Sequence, residues 1–196
     1  MTMSTKAWYS TAYVSIQALS GTEYQLQTKT TSFSQTGGAP DIEGIDTFGG
    51  IVTRLTSNED IEISFEGIPT SHADFDWIKA GQTASTAFGT SGAIITTSTS
   101  RKYRVTLLWT DQSAPTSAAI QAITSTNEAY RKSWADCYCT GIETSMDAGD
   151  VLKAKLNFKT TEQDADGLKN WYIAAKDTTS GTLSAMNAYT SSTTKW

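Results

Sequence analysis

The sequence predicts a mainly β fold, a β-sandwich or partly closed barrel with one or two short helices and a long extended loop arm. Three observations carry this expectation. There are 33 threonines and 22 serines in 196 residues, a β-branched, hydroxyl-rich usage that suits strands with one wet face and penalises helical bundles. Apolar and polar residues alternate with period two in several separate stretches. Glycine, asparagine and aspartate cluster between those stretches, where turns are needed.

The first stretch is a hairpin. Val14, Ile16 and Ala18 alternate with Ser15 and Gln17, and Thr22, Tyr24 and Leu26 alternate with Glu23 and Gln25. A three-residue loop of Leu19, Ser20 and Gly21 sets Ile16 opposite Tyr24 and keeps the faces consistent, with Gly21 expected to supply the positive φ. From Ser32 to Gly50 the alternation dissolves into a glycine-rich arm with four isolated apolar residues, Phe33, Ile42, Ile45 and Phe48. Residues 51–56 resume as a strand. In the next strand Ile61, Ile63 and Phe65 face the core, while Asp60, Glu62, Ser64 and Glu66 form an acidic outer row.

Ser71 to Gly81 reads as a short helix capped by Ser71, with Phe75 and Ile78 on one side. A short strand is possible at Ala93 to Thr97. Arg101 to Thr110 is a strand with Tyr103, Val105, Leu107 and Trp109 inward. Ala119, Ile120, Ile123 and Tyr130 after Pro115 have helical spacing, which predicts a second helix within 114–131. Trp134 to Glu143 is a strand with Trp134, Asp136, Tyr138 and Thr140 on one face and Ala135, Cys137 and Cys139 on the other. After Asp147-Ala148-Gly149-Asp150 a last clear strand turns Leu152, Ala154, Leu156 and Phe158 inward and Lys153, Lys155, Asn157 and Lys159 outward. Residues 1–161 are thus one domain with its arm at 32–50. Residues 162–196 are a C-terminal extension, weakly structured or packed on the domain. Leu168 to Ala175 fits a strand or a short helix, and 177–196 is expected to order only against a partner.

Charge and motif content exclude most chemistry. Fifteen basic against twenty acidic side chains give a net charge of −5, and the one basic cluster, Arg101-Lys102-Tyr103-Arg104, is too small for tight nucleic-acid binding. No apolar run approaches the roughly 18 residues of a membrane span, and the first residues lack a signal-peptide core, so a soluble protein is expected. Cys137 and Cys139 are expected to be reduced core thiols, too far apart for an unstrained bridge. His72 is the only histidine, beside Ser71 and Asp74 in a helical turn whose neighbours do not face one another as a triad requires. Zinc spacings and phosphate-binding or dinucleotide loops are absent. The carboxylates Asp60, Glu62 and Glu66 alternate along one strand face instead of flanking a cleft. No enzymatic activity, catalytic residue, metal or cofactor is therefore expected. The lysines 153, 155 and 159 are alternatively cross-strand partners of those acids.

The order of elements carries a resemblance. An N-terminal hairpin and a glycine-rich arm precede Phe65-Glu66-Gly67-Ile68-Pro69, the helix 71–81 and the core strand 103–109. Trp134-Ala135-Asp136-Cys137-Tyr138-Cys139-Thr140-Gly141 follows, and then Gly149-Asp150-Val151-Leu152-Lys153-Ala154-Lys155-Leu156-Asn157-Phe158. Residues 10–161 in this arrangement resemble the tail tube (major tail) proteins of tailed viruses of bacteria and archaea. The insert 114–131 and residues 162–196 exceed that pattern.

The resemblance implies a β-sandwich subunit of the virion tail. It would assemble in the host cytoplasm into rings, typically of six, stacked as the tube through which DNA leaves, beside other tail proteins and without a membrane. On this reading Asp60, Glu62 and Glu66 line the lumen and repel passing DNA, and Phe33, Ile42, Ile45 and Phe48 dock the arm on the adjacent ring. The alternative is a β-sandwich glycan-binding or virion surface module using Trp109, Trp134, Trp171 or Trp196 as a platform.

Overall fold

The computed structural model describes residues 12–21, 23–25, 29–37, 41–47, 50–56, 60–68, 102–112, 115, 117–124, 126–145, 153–178 and 181–196. Among them are ten strands: β1 (Ala12–Ala18), β2 (Glu23–Gln25), β3 (Lys29–Thr36), β4 (Asp41–Thr47), β5 (Gly50–Thr56), β6 (Asp60–Ile68), β7 (Tyr103–Thr110), β8 (Ala129–Ser145), β9 (Lys153–Thr161) and β10 (Trp171–Lys176). All pairings are antiparallel. The main sheet runs β2-β1-β7-β8-β9-β6-β3 with β10 added on β8, and β4 and β5 form a separate ribbon.

The sheet is curled but open. Val14 and Ile16 of β1, Ile61, Ile63 and Phe65 of β6, Tyr103, Val105 and Leu107 of β7, Trp134 and Cys137 of β8, and Leu156 and Phe158 of β9 share one core. Strands from both halves of the path can meet this way only if the sheet folds over on itself. The mainly β, partly closed expectation is met. The first hairpin also has the expected register, Ile16 opposite Tyr24. Its positive φ, however, lies at Ser20 (59°) and not at Gly21. Gly21 serves close approach instead, since a Cβ there would sit 3.1 Å from the Ala18 carbonyl.

β8 departs from simple alternation because it carries two bulges. Against β7 the pairing slips between Tyr103↔Cys137 and Val105↔Trp134; against β9 it slips between Cys139↔Phe158 and Gly141↔Asn157. Each extra residue flips the following faces. Trp134 and Cys137, three apart, therefore both enter the core. The expected grouping of Trp134 with Tyr138 is corrected: Trp134 is fully buried and Tyr138 is 42% exposed. Asp136, at the first bulge, has φ 51°.

Among the described residues of 114–131 the predicted helix does not form, because side chains take the backbone groups a helix would pair. Ser117 Oγ accepts the N–H groups of Ala119 and Ile120 at 3.2 and 3.0 Å. Glu23 Oε1 also accepts the Ala119 N–H, at 3.1 Å. The buried Arg131 guanidinium donates to the carbonyls of Ala118 (2.8 Å), Ser184 (2.6 Å) and Gln121. Such local competition is what makes serine a poor helix residue. Ile123 instead bridges Leu183, and both join Leu108, Ala118 and Ala129 in a second core on the other face of β7. The expected helix 71–81, the strand 93–97 and His72 lie outside the described residues.

Candidate functional site

The outer face of β6 and β9 bears the predicted acidic row, and the structure shows what lies between the acids. On β9 the alternation is regular, with Ala154, Leu156, Phe158 and Thr160 buried, so Lys153, Lys155, Asn157 and Lys159 stand on the opposite side. The register sets Glu62 opposite Lys159 and Glu66 opposite Lys155. On the far flank β8 sets Glu143 opposite the same Lys155. Lys159 Nζ is 2.7 Å from Asp60 Oδ2 and 3.6 Å from Glu62 Oε1. The hydrogen bond to Asp60 holds this ammonium above the ordinary lysine value. Asn157 Nδ2 donates to Glu143 Oε1 at 3.0 Å. The acidic row thus stands in a ladder in which carboxylates and ammonium groups interleave. The alternative use of the lysines as cross-strand partners describes Lys159.

The four arm residues separate. Phe33 lies in β3, opposite Phe65 of β6, and its ring centroid is 5.5 Å from Trp134 and 6.1 Å from Trp109. It belongs to the subunit's own core, contrary to the expectation of an arm residue without intramolecular contacts. Ile42 and Ile45 lie in the β4–β5 ribbon, opposite Leu55 and Val52. Phe48 lies outside the described residues. The ribbon contacts no other described strand. It grows from the turn of a hairpin, since Thr36 of β3 pairs with Glu62 of β6 and a Cβ on Gly37 (φ 80°) would lie 1.9 Å from the Asp60 carbonyl oxygen.

Sequence reasoning missed a buried polar cluster beneath the C-terminal segment. Lys195, 3% exposed, places Nζ 2.5 Å from Asp164 Oδ2, 2.6 Å from Asn170 Oδ1 and 3.5 Å from Asp136 Oδ2. The Tyr189 hydroxyl donates to Asp136 Oδ1 at 2.5 Å, and Lys102 Nζ lies 3.4 Å from Asp136 Oδ2. The Lys195 hydrogen bond holds Asp164 below the ordinary carboxylate value. Burial, followed by the Asp136 hydrogen bond, pushes the Tyr189 phenol up. Arg104 donates to the carbonyls of Asn187 and Lys195 at 2.6 and 2.9 Å and to Gln17 Oε1 at 2.6 Å. Residues 181–196 are therefore strapped to their own domain, which corrects the expectation that 177–196 orders only against a partner. The one available signal was the pair of arginines, Arg104 and Arg131, at interior positions of apolar strands.

Beside the cluster an open cavity of about 550 Å³ is lined by Asp60, Lys102, Asp136, Tyr138, Lys159 and Asp164, among others. Its carboxylates and ammonium groups are already engaged with one another. Among the described residues no group of three or more His, Cys, Asp or Glu side chains is placed to hold a metal. Cys137 and Cys139 are free thiols, both pushed up by burial. The tryptophans named as a platform are engaged elsewhere. Trp134 is buried, Trp109 packs on Phe33 and Tyr130, Lys169 Nζ sits 4.8 Å over Trp171, and Trp196 stacks on Tyr172 at 5.6 Å.

No family model matches the chain, and no curated protein matches it. Three similar solved structures are a chain of the anti-feeding prophage baseplate, a chain of the PVC sheath–tube complex of an extracellular contractile injection system in its extended state, and an Hcp protein. The first is 11% identical over 90% of this chain and 99% of that one, with a TM-score of 0.48. The second is 12% identical over 83% and 88%, with a TM-score of 0.43. The third is 11% identical over 85% and 99%, with a TM-score of 0.39.

Proposed function

We propose that the chain is a structural tube subunit of a phage-like tail, forming rings, six to a ring, that stack into a conduit for DNA. It acts by assembly, without catalysis or a cofactor, beside other tail proteins in the particle. The observation that carries this reading is the β4–β5 ribbon, which stands apart from every other described strand of its own domain. A free two-stranded ribbon is marginal in water, so a sequence that keeps one needs a neighbour to cover it. The element order described for the sequence supports the same reading. The β6–β9 face, closely charge-balanced, is the face assigned to the lumen.

Negative-stain micrographs and sedimentation of the purified chain test the reading. Rings or tubes are expected. A variant with 38–59 replaced by a short Asn-Gly turn should still fold, because Gly37 and Asp60 already touch and such a turn closes a hairpin. It should sediment as a monomer. A parent chain that stays monomeric at every concentration overturns the proposal, and tubes formed without the ribbon remove the ribbon from it.

A further inference from the structure

We propose that Asp60, Glu62 and Glu66 mask a latent polyanion-binding row on β9 carried by Lys155 and Lys159, so that removing the acids turns this face into one that grips DNA. The inference rests on the reading of this face as the one DNA passes. The two lysines share one side of β9, because Leu156 and Phe158 between them are buried. Residues four apart on a strand lie about 13 Å apart, roughly four times the 3.4 Å axial spacing of phosphates along one DNA strand. Ammonium groups at this spacing along an extended strand can neutralise neighbouring phosphates of one DNA strand, which makes the row a hazard in a conduit.

Each flank of the row carries acid. Lys159 lies within 2.7 Å of Asp60 and 3.6 Å of Glu62, and Lys155 is opposite Glu66 on one side and Glu143 on the other. Stability gives no strong reason for these acids. The side chains of Asp60 and Glu62 are 50% and 65% exposed and that of Lys159 is 41% exposed, and exposed pairs of this kind add little to folding. Their effect on a passing polyanion is larger. A lysine balanced by a carboxylate of its own chain adds no net neutralisation of a phosphate, so the counterion release that drives DNA binding is not gained.

The test is fluorescence anisotropy of a labelled DNA duplex with the full chain and three variants. The parent should not bind at low salt. Asp60→Asn/Glu62→Gln/Glu66→Gln should gain at least about tenfold in affinity, and two new contacts should give a salt slope of about −1.8, a loss of about 12-fold between 50 and 200 mM. Adding Lys155→Gln/Lys159→Gln to that variant should abolish the gain. Asp111→Asn/Asp166→Asn/Asp177→Asn, with the same net charge and an intact row, should not bind. The proposal is overturned if the acid-neutralised chain stays silent while retaining the parent's circular dichroism, if the control variant binds equally, or if the parent already binds. Rings in micrographs without gained binding would leave the tube reading standing and remove the mask. Gained binding by a chain that never forms rings would do the reverse.

Discussion

Replacing Lys195 by methionine should release the C-terminal strap at a cost that the geometry allows to be worked out. Methionine keeps most of the side chain's length, so the loss is chiefly the ammonium. That group is 2.5 Å from Asp164 and 2.6 Å from Asn170 in a residue only 3% exposed. Removing one partner of a buried pair costs about 3–5 kcal/mol. Two features favour the lower end. Asp164 also accepts the N–H groups of Asp166 and Leu168, each at 2.9 Å, and Asp136 keeps the Tyr189 hydroxyl at 2.5 Å and Lys102 at 3.4 Å. With a cost of about 3 kcal/mol and a urea slope of about 2 kcal/mol/M, the unfolding midpoint should fall by about 1.5 M. A double-mutant cycle with Asp164→Asn should return a coupling of about 1 kcal/mol or more. Asp164 is depressed in the fold by Lys195, so its contribution is fully present above its ordinary value of 3.8 and is lost as pH falls through the depressed one. The gap between parent and variant should persist at neutral pH and narrow in acid. A midpoint that stays in place at neutral pH would mean that the ammonium is solvated and the strap is not docked.

The remaining predictions concern strain, thiols and alkali. Gly37→Ala combines φ 80° with a Cβ placed 1.9 Å from the Asp60 carbonyl oxygen; it should cost at least about 1–3 kcal/mol by thermal unfolding, and an unchanged melt refutes the placement of this turn. Cys139, half-buried, should react with a thiol reagent faster than the buried Cys137, which should wait for unfolding; equal rates would put Cys137 at the surface. Cys137 and Tyr189 are both raised in the fold, so the native state holds their protons longer than the unfolded chain does. Stability should therefore fall as pH rises past their ordinary values of 9.0 and 10.0, and Tyr189→Phe should remove part of that slope.

How much of this was legible in the sequence depends on what each strand faces. β9, with one face in the core and one in water, could be read directly; Ala154, Leu156 and Phe158 are buried as its alternation predicts. β7 was half legible. Its inner residues Tyr103, Val105 and Leu107 are in the core, but Arg104, Thr106 and Leu108 are buried too, under segments whose composition resembles a loop. The strap is tied down by backbone carbonyls taken up by Arg104 and Arg131, and a carbonyl leaves no trace in the identity of its residue. The acids were found, but their pairing depended on a register between strands about a hundred residues apart.

The two bulges of β8 explain why one sheet carries two such different faces. Its N-terminal half sits between β7 and β10, where the outer side is covered by residues 117–124 and the strap. Its C-terminal half turns away to pair β9, and there the outer side is left to Lys155, Lys159 and the acids. An unbroken 17-residue strand would keep a single alternation along its length, and Trp134 and Cys137 could not both be in the core. Inserting one residue near Asp136 moves the later side chains to the other face, so that Tyr138 and Thr140 emerge beside the charge ladder while Cys139 remains partly covered. The bulge also places Asp136 against Tyr189, Lys102 and Lys195, so the residue that changes the strand's course also anchors the strap. A single backbone irregularity thus separates a covered half of the strand from an exposed one, and the exposed half is where the charge ladder stands.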